Sequence, residues 1–275
     1  MIKDITIGQY FPGHSPVHRM DPRMKLILTI FYIVILFVVS NPFGFIPAVL
    51  FLGFAYGVSK IPIKMIAKSI KPILPIIIFT GVLNLLFIDG ENVLFAAGPI
   101  HITVQGIYTS LKMALRLVLL IAGTSLMTYT TSPISLTDAI EQLLSPLKKV
   151  HFPAHELAMM MSIALRFIPT LVEETDKIMS AQKARGADME SGGLIQRAKA
   201  LIPIMIPLFI SAFRRAEELA LAMECRCYHG GEGRTRMKQL RYTGVDFAAL
   251  GVVTGLLLVI ILLNIVPMPF LDWLM

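Results

Sequence analysis

Two short stretches of this chain carry the same chemical device. AQKARGADMESGG (181–193) sets Arg185 between Ala184 and Gly186, and AMECRCYHGGEG (222–233) sets Arg226 between Cys225 and Cys227. Each arginine ends a run with helical rhythm, just before a Gly-rich stop. With so little bulk on either side, a guanidinium can enter a narrow groove on another surface, where its planar fork of permanently charged donors suits carboxylates and carbonyls. Either arginine alone would be explained as a cation complementing the C-terminal end of a helix dipole. Two matching tips in one charged region point instead to a pair of docking points for two similar partners.

Other chemistries find less support. Cys225-x-Cys227-x-His229 offers thiolates and an imidazole, but structural zinc usually needs a fourth ligand and a wider Cys–Cys spacing, and the other nearest histidines are His151 and His155. No metal and no other cofactor is therefore expected. Glu173-Glu174 lacks a His or Asp cluster within the apolar segments, so no catalytic residues are assigned. GGEGRTR lacks the G-x-x-x-x-G-K-[ST] spacing of a phosphate loop and follows no apolar strand, so ATP hydrolysis by that route is excluded and any ATPase must be borrowed.

The elements that must position the tips follow from composition. Hydrophobic residues make up 55 % of the 275 and charged ones 16 %, too apolar for an ordinary soluble domain of this size. The net charge of +7 is better explained by basic loops flanking apolar spans than by nucleic-acid binding. MIKDITIGQYFPGHSP has no signal-type apolar core, so no cleaved targeting segment is expected. A disulfide between Cys225 and Cys227 would be strained, which leaves free thiols.

Asp21-Pro22-Arg23-Met24-Lys25 reads as a helix start, with Asp21 as N-cap and Pro22 at the first helical position. Leu26–Ser40 and Phe45–Ser59 form a hairpin of two spans about the Asn41–Gly44 turn. In KIPIKMIAKSIK, Lys60, Lys64 and Lys68 recur every four residues opposite Ile63, Ile66 and Ile70, which suits a helix lying on the cytosolic leaflet. Pro72–Ile88 is a third span, followed by an acidic loop at Asp89-Gly90-Glu91. A fourth runs from about Gln105 to Thr131 and carries Lys112 and Arg116 near its outer end, where cations snorkel or pair inside a bundle. Phe247–Val266 is the last span.

Between Ser132 and Arg241 no uncharged window is long enough to cross. Leu136–Leu147, Ala154 to about Lys183 and Gly193 to about Glu224 read as helices there, with breaks at His151-Phe152-Pro153 and Ser191-Gly192-Gly193. The expected architecture is an all-α integral membrane protein: an N-terminal membrane domain of four spans (1–131), a cytosolic block of long amphipathic coupling helices (132–241) and a last span (242–275). The basic loops place the N-terminus inside and the C-terminus outside the plasma membrane.

On these residues the chain resembles the transmembrane T component of energy-coupling factor transporters, importers of the ATP-binding-cassette class. IGQYFPGHSPVHRMDPRMKL (Ile7–Leu26), with its Pro-Gly and His-x-x-Asp-Pro-Arg-x-Lys pattern, is similar to that family's opening. Ala184-Arg185-Gly186 and Cys225-Arg226-Cys227 match its two small-Arg-small motifs, and Tyr228 and Gly230–Thr235 fit too. The resemblance implies a scaffold whose two arginine tips dock into two ABC ATPase subunits. The same helices would cradle one or several membrane-embedded substrate-binding (S) components, which choose the cargo, expected to be vitamins. S components of such importers are thought to topple in the membrane to release it. Cysteine on both sides of Arg226, where Ala or Gly is usual, departs from the pattern. Sixteen methionines, among them Met159-Met160-Met161, would suit a face that serves several partners. The alternative is a free-standing secondary transporter, for which Lys112 and Arg116 are the nearest thing to a mid-membrane ionisable site.

Overall fold

The computed structural model describes residues 10–88, 93–97, 100–150, 152–187, 193–230 and 239–265. The acidic loop at Asp89–Asn92, the Ser191-Gly192 break, the tail Gly231–Thr235 and the end of the last span lie outside the described residues. The chain divides into two compact units, 133–239 on one hand and 9–132 with 240–275 on the other.

The second of these units is apolar. It comprises α1 (Pro16–Arg19), α2 (Pro22–Val38), α3 (Phe45–Ser59), α4 (Ile63–Ile70), α5 (Leu74–Phe87), α6 (Val104–Thr130) and α10 (Gly244–Ile265). A short antiparallel hairpin, β1 (Val93–Ala97) with β2 (Ile100–Thr103), departs from the all-helical expectation. Gly98-Pro99 separates two short apolar runs, a turn signal that the helical reading passed over. Thr103 ends the hairpin and caps α6, its hydroxyl accepting from Gly106 N–H at 3.0 Å and donating to Ile88 O at 2.9 Å.

Among the described residues, Pro42–Ser59, Val104–Thr130, Ala154–Ala184 and Gly244–Ile265 are long and apolar enough to cross a membrane. The pair α4 and α5, bent by 57°, makes up to five. At 17 residues, or about 25 Å of rise, α2 is at the short end for a 30 Å hydrocarbon core. The chain is thus a multi-pass, essentially all-α membrane protein. Ala154–Ala184 is among them although it carries Glu156 and Arg166, because the residues around those two charges are apolar.

Polar fasteners hold both ends of this unit. At one end Asp21 caps α2, its Oδ1 accepting from Arg23 N–H at 2.9 Å while Arg23 Nη2 sits 2.7 Å from Oδ2. Burial alone would raise the Asp21 carboxyl, but the hydrogen bonds and charge of Arg23 outweigh it and hold the group below its ordinary value. Asp246, fully buried, closes a capping box on Thr243 N–H at 2.6 Å and also accepts Asp21 N–H at 2.8 Å. Lys25 Nζ donates to Thr130 O at 2.8 Å, at the C-terminal end of α6. The His-x-x-Asp-Pro-Arg-x-Lys stretch therefore ties α2, α6 and α10 together.

The opposite end solves a different problem, the orphan carbonyls at the C-terminus of α2. Val38 O accepts from Asn264 Nδ2 at 2.8 Å, Val39 O from Arg116 Nη2 at 2.8 Å and Ser40 O from Lys112 Nζ at 2.5 Å. Between the ends, Tyr32 and Tyr56 sit buried in an aliphatic core and donate to α6 carbonyls, Leu119 O at 3.3 Å and Ala122 O at 2.7 Å. Gly123 permits the close approach of α2 and α6, since a Cβ there would lie 2.2 Å from Tyr32 Cε1.

The other unit holds α7 (Pro133–Leu144), a 3-10 turn at Ser145–Val150, and two 31-residue helices, α8 (Ala154–Ala184) and α9 (Leu194–Glu224). His155 Nδ1 lies 2.8 Å from Glu141 Oε1, joining α8 to α7.

Candidate functional site

Both arginine tips stop their helices in the same way. At the end of α8, Gly186 takes φ +83°, Gly186 N–H donates to Lys183 O at 3.0 Å and Ala187 N–H to Gln182 O at 3.0 Å. At the end of α9, Cys227 takes φ +53°, Cys227 N–H donates to Glu224 O at 2.8 Å and Tyr228 N–H to Met223 O at 3.1 Å. Each set is a Schellman motif, the paired hydrogen bonds that close a helix through one left-handed residue. Arg185 and Arg226 therefore occupy one equivalent backbone position, directly before the left-handed residue. Spacing alone missed that identity, because the left-handed role falls on glycine in one tip and cysteine in the other.

Ala184, Arg185 and Gly186 are exposed, as are Cys225, Arg226 and Cys227. Neither guanidinium has a partner among the described residues, and both thiols are free and exposed. Among the described residues no group of three or more His, Cys, Asp and Glu could hold a metal ion.

Two bridges set the pairing of α8 with α9. Glu174 Oε2 accepts from Arg215 Nη2 at 2.6 Å, which gives Glu174 a structural occupation, and Gln182 Nε2 donates to Pro203 O at 3.4 Å. Pro203 O is available because Pro207, four residues on, has no N–H to offer it. As the α8 number rises from 174 to 182 the α9 partner falls from 215 to 203, so the helices run antiparallel. The tips are not brought together. From the level of Pro203 to Arg226 is about 35 Å by helical rise, room for two separate partners.

Along α9 the chain leaves a broad apolar face uncovered. Leu201, Met205, Phe209 and Phe213 form one column and Ile202, Ile206 and Ile210 the next, all between 48 % and 72 % exposed. Leu208 is turned partly inward, whereas its neighbour Phe209 stands on this face. On α8, Met160 and Met161 are exposed and Met159 is half-buried.

Lys112 and Arg116 belong to the other unit and are occupied with the carbonyls of Ser40 and Val39 just beyond α2.

Comparison with known proteins agrees along the length of the chain. Residues 13–237 match the CbiQ family, described as "Cobalt transport protein". The chain is 54 % identical over 266 residues to the energy-coupling factor transporter transmembrane protein EcfT of Ruminiclostridium cellulolyticum, covering 97 % of this chain and 99 % of that one. It is 57 % identical over 250 residues to that of Clostridium kluyveri, covering 90 % and 93 %. It is 48 % identical over 246 residues to that of Bacillus subtilis, again covering 90 % and 93 %. With a family match over most of its length and relatives of 48–57 % identity nearly end to end, the chain belongs to the CbiQ family of energy-coupling factor transporter transmembrane proteins.

Proposed function

We propose that this chain is the membrane scaffold of an energy-coupling factor importer, passing motion from two ATPase subunits to a membrane-embedded substrate-binding component. The observation that carries the reading is the shared stop of α8 and α9, which presents Arg185 and Arg226 in one backbone geometry with no partner among the described residues. Each tip is a docking point for one ATPase. The uncovered apolar face of α9, with Met160 and Met161 of α8, receives the substrate-binding component. That component selects the cargo, of vitamin type, and this subunit performs no catalysis of its own.

Orientation follows from charge: the basic stretch Lys60–Lys71 and the 133–239 unit face the cytosol, with the N-terminus inside and the C-terminus outside the plasma membrane. The helix α8 stays on the cytosolic side. Crossing would place Arg166, Glu173, Glu174, Asp176 and Lys177 in or near hydrocarbon, at about 2.5–3.5 kcal/mol for each ionic side chain near the centre.

The deciding experiment co-purifies the ATPases with the Arg185→Ala, Arg226→Ala variant after its membrane insertion has been verified. Loss of both ATPases, with the apolar unit inserted normally, is the expected result. Retention of both at wild-type levels, with uptake intact, would overturn the docking assignment.

A further inference from the structure

The apolar unit encloses a cavity of about 310 Å³ among α1, α2, α3, α6 and α10. Its walls include Leu28, Phe51, Leu52, Leu126 and Val253, and its flank is marked by Phe54 on α3 and Val252 on α10, which are 65 % and 48 % exposed. Both belong to helices long and apolar enough to span, so the medium on that flank is hydrocarbon. An apolar cavity beside lipid tails is filled by a chain of the same chemistry, at about 0.8 kcal/mol per buried methylene.

One end of the cavity is not apolar. Lys25, only 5 % exposed, lines it together with Thr29 and Thr130. The polar groups of its neighbours are already committed: Thr29 donates to Lys25 O at 2.7 Å, Thr130 to Leu126 O at 2.8 Å and Tyr32 to Leu119 O at 3.3 Å. Lys25 differs. An ammonium has three N–H donors, and this one gives one to Thr130 O at 2.8 Å and one to His18 O at 3.2 Å, with no described partner for the third. Among the described residues no carboxylate bonds to it: Asp21 is bonded to Arg23, and Asp246 to Thr243 and to Asp21 N–H. A buried cation with a donor to spare at the end of a greasy slot recognises an anion attached to a hydrocarbon tail. A carboxylate is the most compact anion a hydrocarbon tail carries, and so asks the least room beside a side chain only 5 % exposed.

We propose that this cavity is a fatty-acid site, with the acyl chain between α3 and α10 and the carboxylate accepting the third N–H of Lys25. The site is independent of the docking reading, since every residue in it belongs to the other unit.

The test uses the full chain in neutral detergent at pH 8 with three photoreactive probes. They are hexadecanoic acid bearing a diazirine near its methyl end, the methyl ester of the same compound, and phosphatidylglycerol carrying the same chain. The acid is expected to label peptides containing Phe54 or Val252 at least tenfold more than the ester does, and more than the phospholipid. Ala55→Phe, which fills the slot, should lower that labelling at least fivefold. Lys25→Gln should bring acid and ester to the same level. Should Lys25→Gln fail to fold, Ala55→Phe and the acid-to-ester ratio still decide the matter. Equal labelling by acid and ester in the unaltered protein, preference for the phospholipid, or unchanged labelling of Ala55→Phe would each overturn the site.

Discussion

The tips of α8 and α9 share a backbone and differ in what surrounds it. In the first, the left-handed residue is Gly186, which adopts φ +83° without steric strain; in the second it is Cys227, whose Cβ makes φ +53° costly by about 1–2 kcal/mol. The residue whose carbonyl receives the last helical hydrogen bond is Gln182 in the first and Met223 in the second. Gln182 also reaches Pro203 O of α9 with its side chain, and methionine has no donor with which to do the same. Lys183 stands before Ala184 where Glu224 stands before Cys225, so the charge beside the two arginines is opposite. Under the proposed docking, a common backbone position with different charge and bracing would suit two related but non-identical ATPases.

The largest effect should come from the arginines. Arg185→Ala and Arg226→Ala are each expected to cost about 2–5 kcal/mol in ATPase affinity, roughly 30-fold to several-thousand-fold in Kd. With about 35 Å between the tips, each cost should fall on its own ATPase alone when the two are titrated separately. A tenfold or larger inequality between them would show that the shared backbone conceals one principal and one auxiliary contact.

Sequence made the tips visible because small-Arg-small is a local pattern, and it made the spans visible because hydropathy is local too. What it did not disclose depends on partners distant in the chain. Lys25 meets Thr130 across 105 positions, and Asp246 meets Asp21 across 225. Lys112 and Arg116 could be placed near a helix end, but the carbonyls they serve lie more than 70 residues earlier. His18, Asp21, Arg23 and Lys25 formed a recognisable family pattern, yet their work of tying three helices could not be read from a single segment. The β1–β2 hairpin was missed for another reason: its two strands are too short to establish a period against the long helical rhythm on either side.

Cysteine chemistry separates the tips next. Cys225 and Cys227 are exposed and the first tip has no thiol, so alkylation with N-ethylmaleimide adds bulk to the second tip alone. It is expected to lower ATPase binding at that tip by about tenfold, or roughly 1.4 kcal/mol, with no effect on a Cys225→Ser, Cys227→Ser variant. Prior binding of the ATPase should shield both thiols, as mass spectrometry of the labelled peptides would report. Full labelling in the complex would mean that this tip is not buried there.

A smaller difference is expected from the left-handed residues themselves. Gly186→Ala introduces the strain that the second tip already tolerates and should destabilise the last turn of α8 by about 1 kcal/mol. Cys227→Gly should stabilise the last turn of α9 by less, about 0.5 kcal/mol, because glycine also gains freedom in the unfolded chain. Amide exchange at Gly186 and Ala187, and at residues 227 and 228, reads the two effects directly. Exchange unchanged by both substitutions would show that the caps are held by something other than the Schellman hydrogen bonds.

The finest distinction is the brace at Gln182. Its amide donates across 3.4 Å to the carbonyl that Pro207 leaves free, a long neutral hydrogen bond worth about 0.5 kcal/mol. It lies three residues from Arg185 and, through Pro203, 23 residues from Arg226, so its loss should be felt at one tip only. Gln182→Ala preserves the backbone carbonyl that closes the cap and removes only the side-chain donor. Amides from Arg185 to Ala187 should then exchange about twice as fast, while those from Arg226 to Tyr228 keep their rates. Glu174→Gln supplies the control, because the Glu174–Arg215 pair lies 11 residues from each arginine and its loss should touch both tips alike. Equal acceleration at both tips in Gln182→Ala would mean that α8 and α9 open as one body, and that the bracing difference between the tips has no mechanical consequence.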